Sequence, residues 1–301
     1  MSLDPPSRLA ARLAAACVLA SLCACALARP AKPAGPILFL SDFGTKDGAV
    51  AACKGVMWSI APRAAVVDLT HEVPPYDIAA AGELLEQAAP YYPPGTIVVA
   101  VVDPGVGGPR RGLAARTRAG HLLVGPDNGV FTRLLDREGL ALAVELKEAR
   151  YFRASDPSST FHGRDVFAPV AAHLARGERL EALGPPMEPE RLKIPVAERR
   201  GERLLGEVRY VEDPYGNVVT NIPLALLDAL GAKVGDELEV EIGGKSRLLP
   251  YRKTFGEVPA GAELALIHSR GVLSFSINKG DFAARYGVKR GYTVRVRLVS
   301  R

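Results

Sequence analysis

Between 37 and about 150 the chain alternates short, largely apolar runs with stretches of helical periodicity. The runs at 37–40, 65–69, 96–102 and 122–124 lack the in/out alternation of a half-exposed strand, and stretches such as 48–60 and 78–89 separate them. A strand that is apolar at every position is covered on both faces, so the pattern predicts an α/β layered domain with a largely parallel sheet. Asp77 is placed to cap a helix over 78–88 that Pro90 ends, and Asp165 to cap one over 166–175 that Gly177 ends. A Pro/Glu/Arg-rich stretch over 186–203 then reads as a link. Beyond it the pattern changes to short strands at 205–212, 237–242, 246–251, 263–268, 272–277 and 292–299, with turns at 213–217 and 243–244. Closely spaced strands joined by Gly/Asn turns predict a small antiparallel β-barrel. The predicted organisation is a leader and linker over 1–36, an α/β domain over 37–190 and the barrel over 203–301.

Composition narrows the function classes. With 301 residues, 48% of them hydrophobic and 24% charged, the chain is globular and long enough for roughly two cores. The net charge of +5 is dispersed in single residues and pairs such as Arg110-Arg111 and Arg199-Arg200, which argues against nucleic acid and for a small polar ligand.

Residues 1–36 stand apart. Arg8 and Arg12 precede an apolar run over 13–28, and a Pro-rich segment follows. The run is shorter than the about 20 residues a membrane span needs, and Ala26-Leu27-Ala28 has the small-x-small form of a cleavage site, so the segment reads as a secretory signal. Leu22-Cys23-Ala24-Cys25 offers an alternative, a lipobox placing a lipid anchor on Cys25. Both readings export the protein, to the periplasm or a membrane surface. An uncleaved leader or a displaced start codon would instead leave it cytoplasmic. Three of the four cysteines lie in this leader, so only Cys53 follows it, and neither an intrachain disulfide nor a cysteine-based zinc site is expected.

Four apolar runs lead into acidic residues at turns: Asp42, Asp68, Asp103 and Asp127. In a parallel sheet the C-terminal strand ends share one edge, where ligands bind, so these carboxylates are expected on one rim. Such a rim suits ribose hydroxyls, ammonium or sulfonium cations, or a metal. For a metal, Asp42, Asp68 and His71 are the candidate donors, but no second histidine at i+4 and no H-x-E accompanies them, and none is expected. A phosphate loop is not indicated, since Asp103-Pro104-Gly105-Val106-Gly107-Gly108 lacks the Gly-Lys-Ser/Thr ending. His162, in a Ser/Thr/Pro-rich loop before a helix, is the best general-base candidate; His121 and His173 read as structural.

Taken in order, Ser41-Asp42-Phe43-Gly44, Cys53-Lys54-Gly55-Val56-Met57, Val102-Asp103-Pro104-Gly105-Val106-Gly107, Gly125-Pro126-Asp127-Asn128-Gly129, Thr160-Phe161-His162-Gly163-Arg164-Asp165, Tyr215-Gly216-Asn217 with Thr220-Asn221-Ile222, and Ser269-Arg270-Gly271 form a recognisable series. It resembles the S-adenosyl-L-methionine hydroxide adenosyltransferases, relatives of the fluorinases and chlorinases, from about 37 to 298. The resemblance implies attack of an activated water or hydroxide at the ribose C5′ of S-adenosylmethionine, releasing adenosine and methionine, with no cofactor besides this substrate. Asp103, Arg110 and His162 fall on the catalytic positions of the water-using members. The halogenases carry Tyr and Thr in the segment matching 103–106 and Ser where Gly163 stands. By the same carry-over Asp42 holds the ribose hydroxyls and Tyr76 forms an aromatic wall. Asn217 reads the adenine edge, Ser269 and Arg270 the methionine carboxylate, and Asp213 the ammonium. A homotrimer is implied, with sites between one subunit's α/β domain and a neighbour's barrel. Two rival functions remain, an exported nucleoside-binding protein without turnover and an S-adenosylmethionine-dependent halogenase.

Overall fold

The computed structural model describes residues 35–299; the leader with its cleavage site and Cys25 lies outside them. The described chain divides into two compact units, one ending at Leu192 and the other starting at Lys193.

The first unit is built on a six-stranded sheet in the order β2-β1-β3-β5-β4-β6. Strands β1 (Ile37–Ser41), β2 (Val66–Thr70), β3 (Ile97–Val101) and β5 (Leu122–Pro126) run parallel, while β4 (Gly112–Thr117) is antiparallel to β5 and to β6 (Leu140–Glu145). Consecutive residues of β1 serve two different cores. Ile37 and Phe39 join Cys53 and Met57 of helix α1 (Ala49–Ile60) and Val170 and Leu174 of a later helix over Ala168–Ala175. Leu38 and Leu40 face the other way, onto Leu85 of α2 (Ile78–Ala88) and Leu134 of α3 (Thr132–Glu138). This is why β3 is apolar at every position and β1 at all but its last, Ser41, and each large side chain so buried contributes about 1.5–3 kcal/mol. The helix over Ala168–Ala175 is α4. Asp77 caps α2 as expected, accepting a hydrogen bond from the Ala80 amide at 2.9 Å.

Two expectations need correction here. Asp165 does not cap a helix: it lies within a π-helical turn, Gly163–Phe167, that runs into α4. Asp68 is not at a turn but inside β2, opposite Phe39.

The second unit is antiparallel, with strand order β11-β10-β14-β8-β9-β13-β12 and β7 beside β8. Its strands are β7 (Glu198–Arg200), β8 (Arg203–Glu212), β9 (Asn217–Pro223), β10 (Glu237–Ile242), β11 (Lys245–Pro250), β12 (Glu263–Ile267), β13 (Val272–Ile277) and β14 (Thr293–Leu298). A bridge between Tyr251 and Ala265 links the two ends, giving a nearly closed barrel around Leu204, Val218, Val240, Leu273, Phe275 and Val296. Two short helices, α5 (Leu224–Leu230) and α6 (Phe282–Tyr286), were not predicted.

Candidate functional site

The parallel strands of the first unit end on one edge of the sheet, and the loops leaving them carry the candidate groups. After β3 the loop 103–110 returns to β4 and is pressed onto the segment before the π-helical turn. At Gly107 the backbone has φ +73°, and a Cβ there would lie 2.1 Å from the Ser159 carbonyl oxygen. Only glycine permits that approach. The approach brings together three of the predicted residues. Arg110 donates from Nε to Asp103 Oδ1 at 2.8 Å and Oδ2 at 3.1 Å, and from Nη2 to Asp103 Oδ2 and to His162 Nδ1, the last at 2.7 Å. The Arg110 guanidinium lies over the buried Phe167 ring, 5.2 Å from its centroid. The Asp103 and Arg110 side chains are nearly buried, so pairing compensates each charge for lost hydration.

The chemistry of His162 follows from these contacts. A guanidinium only donates, so Nδ1 is the acceptor and the neutral ring carries its proton on Nε2. Burial, and next the charge of Arg110, hold the imidazole below its ordinary pKa, against the opposing pull of Asp103 and Asp165. His162 Nε2 is not buried and has no protein partner among the described residues. The expected general base is thus presented as an Nε2–H donor.

Asp165 fixes the turn that follows His162. It accepts from Arg153 Nε at 2.5 Å, from Arg164 Nε and Nη2 at 2.7 and 2.8 Å, and from the Ser158 amide at 3.0 Å. The bond from Arg164, more than any other contact, drives its carboxyl far below the ordinary range.

Of the other rim carboxylates, Asp42 is half-buried and accepts the Tyr76 amide on Oδ2 at 2.9 Å; the Tyr76 side chain is exposed. Asp127 is buried, bound by Arg111 at 2.6 and 2.9 Å and by the Glu190 amide at 2.7 Å, and serves the structure alone. Asp68 and His71 are bonded to one another and to Lys54 and Ser41, so they do not form a metal donor set with Asp42. No group of three His, Cys, Asp or Glu side chains suited to a metal occurs among the described residues. His121 is structural, bound to Glu138 and the Tyr92 carbonyl, and His173 packs edge-on to Tyr151. Cys53, the only free cysteine among the described residues, is buried and its thiol is pushed up to about 12, chiefly by that burial.

The barrel unit has its own cavity of about 880 Å³. Asn217 and Ser269 line it, as do the aromatic side chains Tyr215 and Phe255. Asp213 is exposed and outside the lining; the carboxylates that line the cavity are its neighbour Glu212 and Asp281, which caps α6 by accepting the Ala284 amide at 2.7 Å. Glu212 accepts from Asn217 Nδ2 at 2.9 Å and from His268 Nε2 at 3.0 Å, while His268 Nδ1 accepts the Arg270 amide at 3.3 Å. The Arg270 side chain turns to Tyr210, donating to its hydroxyl at 2.7 Å. Glu212 and His268 carried no sequence signal beyond standing at the ends of β8 and β12.

Comparison with known proteins gives one consistent result. Residues 37–184 match the model of the SAM hydroxide adenosyltransferase N-terminal domain and 206–295 that of the C-terminal domain. The (R)-S-adenosyl-L-methionine hydrolase of Thermus thermophilus is 45% identical over 268 residues, covering 87% of this chain and 99% of the relative. A fluorinase of Nocardia brasiliensis is 30% identical, covering 87% and 96%. The crystal structure of an uncharacterized conserved protein from Thermotoga maritima superposes with a TM-score of 0.83 at 38% identity, covering 87% of this chain and 99% of that one.

Proposed function

This chain belongs to the SAM hydroxide adenosyltransferase family, and from that premise we propose that it hydrolyses S-adenosyl-L-methionine to adenosine and L-methionine. The observation that carries this reading is the Asp103–Arg110–His162 cluster on the ligand edge of the sheet. An oxygen nucleophile forms a bond to the ribose C5′ as the C5′–S bond breaks. The bonding pair passes to sulfur, which leaves as the neutral thioether of methionine. The sulfonium is already a good leaving group, so placing the oxygen in line is the main requirement. Arg110, locked by Asp103, fixes the His162 ring, and the Nε2–H holds the water or hydroxide oxygen with a lone pair directed at C5′. A proton lost from an attacking water is strongly acidic once the C–O bond forms and passes to solvent. His162 thus acts as a positioning donor.

Asp42 is suited to the two ribose hydroxyls, since its two oxygens can accept both, and the exposed ring of Tyr76 supplies an adjacent apolar wall. In the barrel cavity, Asn217 keeps Oδ1 for the adenine amino group because Glu212 holds its Nδ2. Ser269, in the lining, is suited to the methionine carboxylate, and Arg270, whose side chain lies outside the lining on the Tyr210 hydroxyl, would have to turn inward to join it. For the ammonium, Glu212 is better placed than Asp213 to line the ligand. One feature of the site favours water over halide: Gly163 offers no hydroxyl to a halide, and a side chain there would meet the Phe43 ring, with Cβ 2.8 Å from Cζ. The greater likeness to the hydrolase than to the fluorinase agrees. No cofactor is needed. The proposed assembly is a homotrimer, and the proposed destination is outside the cytoplasm, with the leader cleaved or Cys25 lipidated.

Incubation with S-adenosylmethionine, with and without chloride or fluoride, tests the reading. Equimolar adenosine and methionine in every buffer are expected. A 5′-halogenated nucleoside would identify a halogenase, and tight adenosine binding without turnover a receptor.

A further inference from the structure

We infer that Lys54, Asp68, His71 and Ser41 form a positioning chain that fixes the ribose-binding carboxylate of Asp42 and the Tyr76 wall; this rests on the substrate reading above. Lys54 Nζ donates to Asp68 Oδ2 at 2.6 Å, His71 Nε2 lies 3.0 Å from Asp68 Oδ1, and His71 Nδ1 lies 2.7 Å from Ser41 Oγ. The Phe43 amide donates to Ser41 Oγ at 3.3 Å. The donor order has one solution for a neutral ring. A carboxylate accepts only, so His71 carries its proton on Nε2; Nδ1 then accepts from the Ser41 hydroxyl, whose oxygen accepts from Phe43. A Ser–His–Asp set invites comparison with a hydrolytic triad, but Ser41 is fully buried, so no substrate reaches its hydroxyl and it is no nucleophile.

The geometry ties both ribose-facing elements to His71. Ser41 and Phe43 flank Asp42 and are both held by the Ser41–His71 contact. The Gly44 amide donates to the His71 carbonyl at 2.7 Å. On the other side the loop after His71 leads to Tyr76, whose φ of +67° turns its amide toward Asp42. A non-glycine residue holds such a φ only where its surroundings impose it. The register of β1 against β2 shifts between Phe39 and Leu40, and this irregularity brings Asp68 and His71 into line with Ser41. His71 is buried edge-on to Phe39, so its two nitrogens must both find partners, and the chain provides them.

Nucleoside binding by the purified full-length protein decides the matter, with adenosine and 2′,3′-dideoxyadenosine as probes and Asp68→Asn and His71→Gln as variants. Wild-type protein is expected to prefer adenosine. In each variant adenosine affinity falls about tenfold, dideoxyadenosine affinity stays within about twofold, and the preference collapses. With S-adenosylmethionine, KM rises about as much while kcat changes less than about threefold. Asp68, on a part-exposed side chain, serves if His71→Gln does not fold. Asp68→Asn protein that retains the wild-type preference overturns the inference, as does an equal loss for both nucleosides, which would mean general loosening. Wild-type protein with no preference removes Asp42 from ribose binding, and the inference falls with that reading.

Discussion

At His162, burial and the Arg110 charge both oppose protonation, which makes the pH dependence a direct readout of the site. Protonating the ring places an N–H on Nδ1 against the guanidinium and breaks the contact that orients it. kcat/KM is therefore expected to fall on the acid side with an apparent pKa below the ordinary value of about 6.5. The stability sign agrees: the unfolded chain takes this proton at higher pH than the folded one, so the contribution of His162 to stability is lost as pH falls below about 6.5. A profile with an acid limb above 7, or one unchanged in His162→Asn, contradicts the assignment. His162→Ala should lower kcat about 100-fold or more, with little change in adenosine affinity. Asp103→Asn leaves a nearly buried Arg110 with its main partner gone and should cost about 3 kcal/mol of stability as well as activity, measurable by urea titration. Asp103, Arg110 and His162 were legible as motif positions. The tautomer of His162 was not, since it depends on which ring nitrogen meets a guanidinium 52 residues away.

The elements that bring these side chains together are the loop 103–110 and the π-helical turn, and each has one residue on which it depends. Gly107→Ala combines a positive φ with a backbone collision and should destabilise the first unit by about 2 kcal/mol, lowering Tm by several degrees. A variant with wild-type Tm and activity would mean that the loop does not dock as described. Asp165→Asn weakens the bonds to Arg153, Arg164 and Ser158 that hold the turn. The depressed carboxyl contributes stability that is present above the ordinary range near 4 and lost as pH falls through it, so the variant should show a shallower acid decline between about pH 4 and 2. The doubly covered strands β1 and β3 were plain in sequence because 37–40 and 97–101 are apolar at every position. β4 and β6 were missed because Gly-Leu-Ala-Ala-Arg-Thr and Leu-Ala-Leu-Ala-Val-Glu are alanine-rich, and alanine is a poor strand former whose burial here comes from tertiary packing. β9 was hidden behind the turn over 213–217, whose Gly and Asn punctuation ends just as the strand begins.

At the scale of the molecule, the change from continuous apolar runs to short alternating ones foretold an α/β unit followed by an antiparallel one, and the two matched family domains fall on either side of the Pro/Glu/Arg-rich stretch. The rim prediction was too generous. Asp127 is taken up by Arg111, 16 residues away, and Asp68 by Lys54, 14 residues away, together with the nearby His71; local sequence does not reveal the two distant partners. Light scattering of the purified protein should give three chains per particle, and N-terminal sequencing of the exported protein a start near residue 29 or a lipidated Cys25; a monomer, or an intact leader in the cytoplasm, contradicts these proposals. The central claim is that a solvent oxygen attacks C5′ of S-adenosylmethionine. Turnover in water enriched in oxygen-18, followed by mass spectrometry of both products, tests it most directly. The account predicts adenosine carrying the label in its 5′ hydroxyl and methionine without it; unlabelled adenosine, or a 5′-halogenated nucleoside in its place, would contradict it.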